Sequence, residues 1–484
     1  MKLKDIISGL DIIDIHGKLD LEINSIDYDS RRLDKDSLFI CIKGFNVDGH
    51  NFIQEGIKKG SRAFIVQDDI FIEGYTFIRV KDTRDAMAII ASNFYKNPTK
   101  DLNLVGVTGT NGKTTITYLL KDILHEEGVG LIGTIKNIIG DKEIVSSRTT
   151  PESLQLQSYF REMVDKNVKY CVMEVSSHSL ELKRVEECEF KVGIFTNLTE
   201  DHLDFHKTLE NYRLAKQKLF YKTTKANIIN IDDEGGRKIY EDIKHLKTPI
   251  ITYGINNKAD ITAKDIKMFL DKVQYTVVTD EFEEEVEVPI PGKFTVYNSL
   301  AVIGACIALG IPKEIIIKRL KKANKVPGRF ETINSSKNFS VIVDYAHTPD
   351  ALENIIKTAR EFVRGNIITV FGCGGDRDRS KRPIMGKISQ DLSDISIITS
   401  DNPRSEDPKK IVEDILEGMN KNINNYKIII DRKEAIKQAI AMANEGDIVI
   451  VAGKGHEDYQ IIGDKKIHFD DKEVVREFLK EDKK

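Results

Sequence analysis

The chain has 484 residues, and its lysines and arginines (73) nearly balance its aspartates and glutamates (77), for a formal charge of -4. That length exceeds what one hydrophobic core usually serves, and the charge lacks the basic excess of a general nucleic-acid binder. Five scattered cysteines (Cys41, Cys171, Cys188, Cys306, Cys373) without a C-x-x-C pair exclude a thiolate zinc site and suit a reducing compartment.

The first residues, Met1-Lys2-Leu3-Lys4-Asp5, form no signal-peptide core, and the most apolar stretch, Leu300 to Ile311, is shorter than a bilayer span. A cytoplasmic monomer with small-molecule partners, no nucleic acid and no membrane insertion is expected. Residues 1–97 open on a short helical pattern and then alternate apolar runs (Leu38–Ile42, Ala63–Val66, Phe77–Val80) with helix-like ones, which predicts a small α/β domain. Asn97-Pro98-Thr99-Lys100 is a turn, so a second domain is expected over 98–327. It begins with an apolar lead (Leu102, Leu104), the loop Gly109-Thr110-Asn111-Gly112-Lys113-Thr114-Thr115, and a helical pattern through Leu124. Strand, phosphate loop and helix are the expected order: glycines let backbone N–H groups close on an anion, Lys113 reaches the outer phosphates, and Thr114 offers a hydroxyl to Mg²⁺. A glycine-rich turn before a core helix is the blander alternative. Further β-rich runs follow at Tyr170–Val175, Val192–Asn197 and Ala226–Asn230, which argues for a mostly parallel, helix-covered sheet. A third domain, 328–484, restarts the alternation at Ser340–Asp344 and continues through Asn366–Phe371, Ile395–Thr399, Lys427–Ile430 and Asp447–Val451. The final Lys480 to Lys484 reads as a frayed tail. The expected class is therefore α/β in three domains, with a central P-loop parallel-sheet ATPase domain and a C-terminal Rossmann-like domain.

Polar residues cluster at the ends of these strands, where open α/β sheets bind ligands. Glu174-Val175-Ser176-Ser177-His178 supplies a carboxylate and an imidazole within reach of a phosphate-bound metal, and Asn197 to His206 is dense in acids and histidines. Lys216, from spacing alone, is a solvated lysine. The third domain carries Asp344-Tyr345-Ala346-His347-Thr348-Pro349, then Gly372 to Pro383 with Arg377, then Asp401-Asn402-Pro403-Arg404 and Gly453 to Asp458 with Glu457. Arginines for a carboxylate and acids for an ammonium fit a zwitterionic, amino-acid-like substrate.

These motifs, in this order over nearly the whole chain, resemble the Mur ligase family of ATP-dependent amide-forming enzymes of peptidoglycan precursor assembly. Val326-Pro327-Gly328-Arg329-Phe330-Glu331 adds to the match. The resemblance implies ATP contacts at Gly109, Thr110, Asn111, Gly112, Lys113, Thr114, Thr115, Asn298, Arg329 and Asp344. It implies uridine diphosphate contacts at Asp29-Ser30-Arg31 and Lys43-Gly44, and muramoyl-dipeptide contacts at Thr149, Thr150, Ser176 and Arg184. Mg²⁺ would lie near Thr114, Glu174 and His202 or His178, with Lys216 carbamylated (N6-carboxylysine) as a further ligand. Lys113, Glu174, Lys216, His202 and His347 would be the catalytic set. Within the family, Asp401-Asn402-Pro403-Arg404 is similar to the signature of members that add meso-2,6-diaminopimelate to UDP-N-acetylmuramoyl-L-alanyl-D-glutamate, with Arg377, Gly453 and Glu457 completing that pocket. Leu182 departs from the family pattern, standing where a polar residue approaches the dipeptide. The alternatives are the same reaction with L-lysine, a folylpolyglutamate-type synthetase, a non-catalytic binding protein, and a GTP-binding regulator, the last because Asn257-Lys258-Ala259-Asp260 matches N-K-x-D and Asp232 to Gly235 matches D-x-x-G.

Overall fold

The computed structural model describes residues 1–44, 47–269 and 271–481. The chain divides into two compact units, one of Met1–Thr108, Leu124–Gly193 and Ala215–Ala226, the other of Gly109–Ile123, Ile194–Leu214 and Asn227–Lys484.

The first unit contains a five-stranded sheet in the spatial order Ile12–His16, Thr76–Val80, Ala63–Val66, Ser37–Ile40, Ser25–Asp27. Only the Ile12–His16 pairing is antiparallel. Ser37–Ile40 and Ala63–Val66 are buried along their whole length, which is why they read as unbroken apolar runs. The Thr83–Phe94 helix starts at Asp82, whose carboxylate accepts from the Arg84 N–H, and it lays Ala86, Met87, Ile90 and Ala91 against Leu38, Ile40, Ile65 and Ile78. The unit also holds the neighbouring strands Asn103–Thr108, Tyr170–Glu174, Val129–Ile132, Lys136–Ile139 and Lys142–Val145. The first three run parallel and the last two add antiparallel turns. Parallel pairing sets Met173 beside Ile132, so the strand ends at Glu174 and at Gly133-Thr134 come together.

In the second unit the six-stranded sheet runs Glu331–Asn334, Ser340–Asp344, Ile448–Ala452, Ile367–Phe371, Ile395–Ile398, Tyr426–Ile428. All pairs but the first are parallel, so the C-terminal ends of the inner strands share one edge. A Tyr459–Ile462/Lys465–His468 hairpin follows. The unit also has a three-stranded antiparallel sheet, Thr262–Met268, Val273–Val278 and Glu283–Val288, which is absent from the sequence expectations. Its last strand hides the alternation of buried Val286 and Val288 among Glu283, Glu284, Glu285 and Glu287. The apolar Leu300 region lies in the Lys293–Leu309 helix, which is buried on nearly every face and ends at Gly310 in the left-handed conformation. Among the described residues no helix is long and apolar enough to cross a membrane. Of the expected frayed tail, Lys480 and Glu481 belong instead to the Asp471–Glu481 helix, and residues 482–484 lie outside the described residues.

Candidate active site

The loop between the Asn103–Thr108 strand and the Lys113–Leu124 helix is shaped by Gly109, at φ 143°. A Cβ there would lie 1.8 Å from Thr196 Oγ1, so no side chain fits. The loop is tied to the segment after the Phe190–Phe195 strand: the Asn111 N–H donates to Asn197 Oδ1 (2.9 Å), Thr196 Oγ1 donates to Asn111 O (2.6 Å), and the Thr199 N–H donates to Thr110 Oγ1 (3.0 Å). Lys113 Nζ donates to the carbonyls of Gly109 and Thr110 (2.9 and 2.8 Å), across the loop mouth. Asn111 Nδ2 donates to Asp350 Oδ2 (2.8 Å) and Arg329 donates to Thr114 Oγ1 (3.2 Å). Beside the loop lies a cavity of about 350 Å³ whose lining includes Asn111, Thr115, Asn298, Arg329, Asp344 and Asp350. Six expected nucleotide residues, Gly112 among them, and the unforeseen Asp350 thus share one cavity. Asp344 accepts from the Phe330 N–H (2.6 Å) and the Ala346 N–H (2.7 Å), so it holds the turn that carries Arg329; burial raises its pKa against the pull of Arg329.

In the first unit Glu174 is buried, and its carboxylate receives the Thr134 N–H and hydroxyl. Thr150 is buried too: its hydroxyl donates to Glu174 O (2.8 Å) and accepts the Ser176 N–H (3.1 Å), locking the strand end. Ser176 caps the Ser177–Glu181 helix, and Leu182 follows as its last-turn boundary. Arg184 donates to Thr150 O (3.1 Å) and pairs with Glu152 (3.0 Å). Glu152 also meets Arg84 (3.5 Å) and Arg148, two arginines that sequence reasoning missed, Arg84 lying far from it along the chain and Arg148 only four residues before it. Burial lowers the Arg184 pKa against the attraction of Glu152, and its Nε has no hydrogen-bond partner among the described residues. Lys216, solvated by spacing alone, is 1% exposed. Ser30 donates to Glu55 (2.9 Å), while Asp29, gripped by Arg31, is held down to about pKa 2. Lys43 pairs with Asp68 (2.6 Å). A nearby Asp48, His50, Asp68 group is already occupied by the protein: His50 Nδ1 contacts Asp48 (2.6 Å) and Nε2 accepts the Gln67 N–H (3.0 Å).

The shared strand edge of the six-stranded sheet gathers the other expected group. Arg404, at φ 53°, donates to Gly375 O (2.7 Å) and its backbone pairs with Ile461 and Gly463 of the hairpin. Burial, then the neighbouring Arg377 charge, lowers its pKa. Asn402 Nδ2 donates to Glu457 Oε2 (2.9 Å), and Lys454, which sequence reasoning assigned no role, donates to Asn402 and Glu457 (both 3.3 Å). Burial raises the Glu457 pKa. Asp401 lies 3.9 Å from Arg432, and both lie beside Gly453. Asp401 and Pro403 thus frame the turn that presents Asn402 and Arg404.

Asp201 touches His202 (3.4 Å) and Lys381 (3.6 Å), the latter within the Gly372–Pro383 stretch but given no role there. Burial opposes its charge, yet Lys381, His202 and His347 hold its carboxyl well below the usual range. His347 Nδ1 faces Tyr345 O at 2.8 Å, so Nδ1 carries the proton and Nε2 is left as the acceptor; burial drops its pKa to about 4. The GTP-type motif does not stand free: Asp260 accepts from the Thr252 N–H and hydroxyl (2.7 and 2.6 Å), and Asn257 donates to Asp232. The Thr114 hydroxyl in one unit and the Glu174 carboxylate in the other are each oxygen donors of the kind that suits a hard cation such as Mg²⁺.

Family descriptions match along the sequence: Mur ligase family, catalytic domain over residues 22–95; Mur ligase middle domain over 107–306; and Mur ligase, glutamate ligase domain over 328–455. A UDP-N-acetylmuramoyl-L-alanyl-D-glutamate--2,6-diaminopimelate ligase of Clostridioides difficile (strain 630) is 60% identical over 481 residues, 99% of each chain. The chain belongs to the Mur ligase family. As a Mur ligase it is an ATP-dependent ligase. The same ligase name belongs to a relative in Alkaliphilus metalliredigens, 54% identical over all of this chain and 98% of its own. A solved structure bearing that name has a TM-score of 0.70 at 30% identity, covering 100% of this Mur ligase and 99% of that chain. The MurF ligase of Thermotoga maritima in complex with ADP shares the fold, with a TM-score of 0.65 at 17% identity over 95% of this chain and 97% of its own.

Proposed function

We propose that this Mur ligase joins an amine of meso-2,6-diaminopimelate to the D-glutamyl γ-carboxyl group of UDP-N-acetylmuramoyl-L-alanyl-D-glutamate, turning ATP into ADP and phosphate in cytoplasmic peptidoglycan precursor synthesis. The observation that carries this reading is 60% identity over 99% of both chains to a ligase of that name. Residues 1–97 serve the UDP-muramoyl substrate, 98–327 ATP, and 328–484 the amino acid. In the first step the γ-carboxylate attacks the γ-phosphorus of ATP and ADP leaves, so a poor electrophile becomes an acyl phosphate. Lys113 releases its loop carbonyls to meet the phosphates, Arg329 closes the cavity from the Thr114 side, and Asn298 and Asp350 border the nucleoside. Thr114, Glu174, His202 and carbamylated Lys216 would hold Mg²⁺, which when bound offsets charge on the transferring phosphoryl group.

In the second step the diaminopimelate amine attacks the acyl carbon and phosphate leaves. Arg377 and Arg404 grip the distal carboxylate that L-lysine lacks, and Glu457, oriented by Asn402 and Lys454, takes an ammonium. Two groups can accept the proton of the amine, His347 through Nε2 and the Asp201–His202 pair. Phosphate release with ATP, Mg²⁺ and the UDP-linked dipeptide, comparing diaminopimelate with L-lysine at equal concentration, tests the reading. Turnover with diaminopimelate alone is expected; turnover with lysine instead would keep the ligase and overturn the role of Arg404.

A further inference from the structure

Glu174 ends its strand with its carboxylate against the end of the adjacent parallel strand, Val129–Ile132. The Thr134 N–H donates to Oε1 (2.8 Å) and the Thr134 hydroxyl to Oε2 (3.0 Å). An ionised carboxylate has about four acceptor positions. Taking one on each oxygen from a single residue fixes the plane of the group rather than only its distance. The hydroxyl is itself oriented: its hydrogen is committed to Glu174, so at the 3.1 Å contact with Thr149 Oγ1 it is Thr149 that donates. The turn carrying Thr134 is also pinned. The Gly133 N–H donates to Asn137 Oδ1 (3.2 Å) and the Ser146 hydroxyl donates to Gly133 O. At Gly133 a Cβ would sit 2.6 Å from Glu174 Oε1, so the close approach needs glycine.

We propose that Thr134 is a positioning residue for the cation site: its paired N–H and hydroxyl aim the Glu174 carboxylate, and Thr149 aims the hydroxyl. The inference rests on the reading of Glu174 as a cation ligand. Thr134 neither touches the substrate nor reacts; it removes the rotational freedom that Glu174 would otherwise lose on binding the ion, as hydrogen bonds behind metal ligands generally do.

The test titrates Mn²⁺ into the full chain at fixed ADP concentration, following free Mn²⁺ by electron paramagnetic resonance against an ADP-only blank. Thr134→Val is expected to weaken Mn²⁺ binding about tenfold, while Thr134→Ser, which restores the hydroxyl, stays within about twofold of wild type. Glu174→Gln should weaken it at least as much as Thr134→Val. Tight binding by Thr134→Val beside weak binding by Glu174→Gln would overturn the positioning role alone. Unchanged binding by Glu174→Gln would overturn the ligand reading and the inference with it. Equal weakening in Val and Ser variants would overturn the role of the hydroxyl. If Thr134→Val does not fold, as judged by thermal melting, Thr134→Ala replaces it with the same expectation.

Discussion

Two buried arginine sites in this protein differ in their balance of charge. Arg432 and Asp471 are both wholly buried and joined by two parallel bonds, Nε to Oδ1 at 2.8 Å and an Nη to Oδ2 at 2.7 Å. At Glu152, three guanidiniums, from Arg84, Arg148 and Arg184, converge on one carboxylate. A buried charge without a partner costs several kcal/mol, so matched charge deep inside can persist as architecture. Excess positive charge, with Arg184 largely buried, is what the anionic UDP-linked substrate proposed above would offset. The Arg404 neighbourhood is more evenly balanced: the Arg377 charge lies beside it, and Asp401 and Glu457 act against that charge.

The comparison breaks first at the matched pair. Arg432→Ala leaves Asp471 buried and alone and should cost roughly 3–5 kcal/mol in denaturant-unfolding free energy. Replacing both partners with apolar residues, Arg432→Met with Asp471→Leu, should recover most of that loss; a single variant that unfolds like wild type would end the distinction. At the unmatched site Arg184→Ala should raise the KM for the UDP-linked substrate by roughly tenfold to a hundredfold, the range of a charged hydrogen bond, while its unfolding midpoint moves far less than that of Arg432→Ala. An unfolding shift as large as that of Arg432→Ala, with KM unchanged, would make the cluster structural.

Arg404→Ala sharpens the same contrast on a smaller scale. It should raise the KM for diaminopimelate about tenfold in the phosphate-release assay, through loss of a bidentate carboxylate grip. Unchanged KM would remove Arg404 from the pocket. The gentlest test concerns charge that burial forbids altogether. His347 and His456 have pKa values pushed down, mainly by burial, to about 4 and about 3. An unfolded histidine titrates near pH 6.5, so below that pH the unfolded chain binds protons the folded chain refuses. Their contribution is complete above about pH 6.5 and is lost as the pH falls toward 4. His347→Gln and His456→Gln should therefore flatten the decline of the denaturant midpoint across that window, and an unaltered slope would show that the imidazoles do not drive it.

The parts legible in the sequence are contiguous ones. Gly109 to Thr115 announces a phosphate loop because strand, glycines, lysine and helix follow one another, and the strand ends at Glu174, Asp344, Asp401 and Gly453 are marked by a polar residue after an apolar run. Lys216 shows the limit. Its helix pattern offers no sign of burial, and only the resemblance raised it above a surface lysine, whereas the fold leaves 1% of it exposed. The Glu283–Val288 strand escaped because charged residues outnumber the buried valines that define its inner face.

By itself the sequence determined the α/β class, the phosphate loop, the family and the segments that carry its chemistry, since each is written in local periodicity or in motifs a few residues long. Only the tertiary structure decided which distant residues share a site. Asp350 comes to Asn111, Lys381 to Asp201, and Arg84 and Arg184 to Glu152 because parallel pairing and packed helices bring far segments within hydrogen-bond range. Burial and charge balance, which set what those groups can do, are properties of that assembled volume and have no counterpart in spacing along the chain.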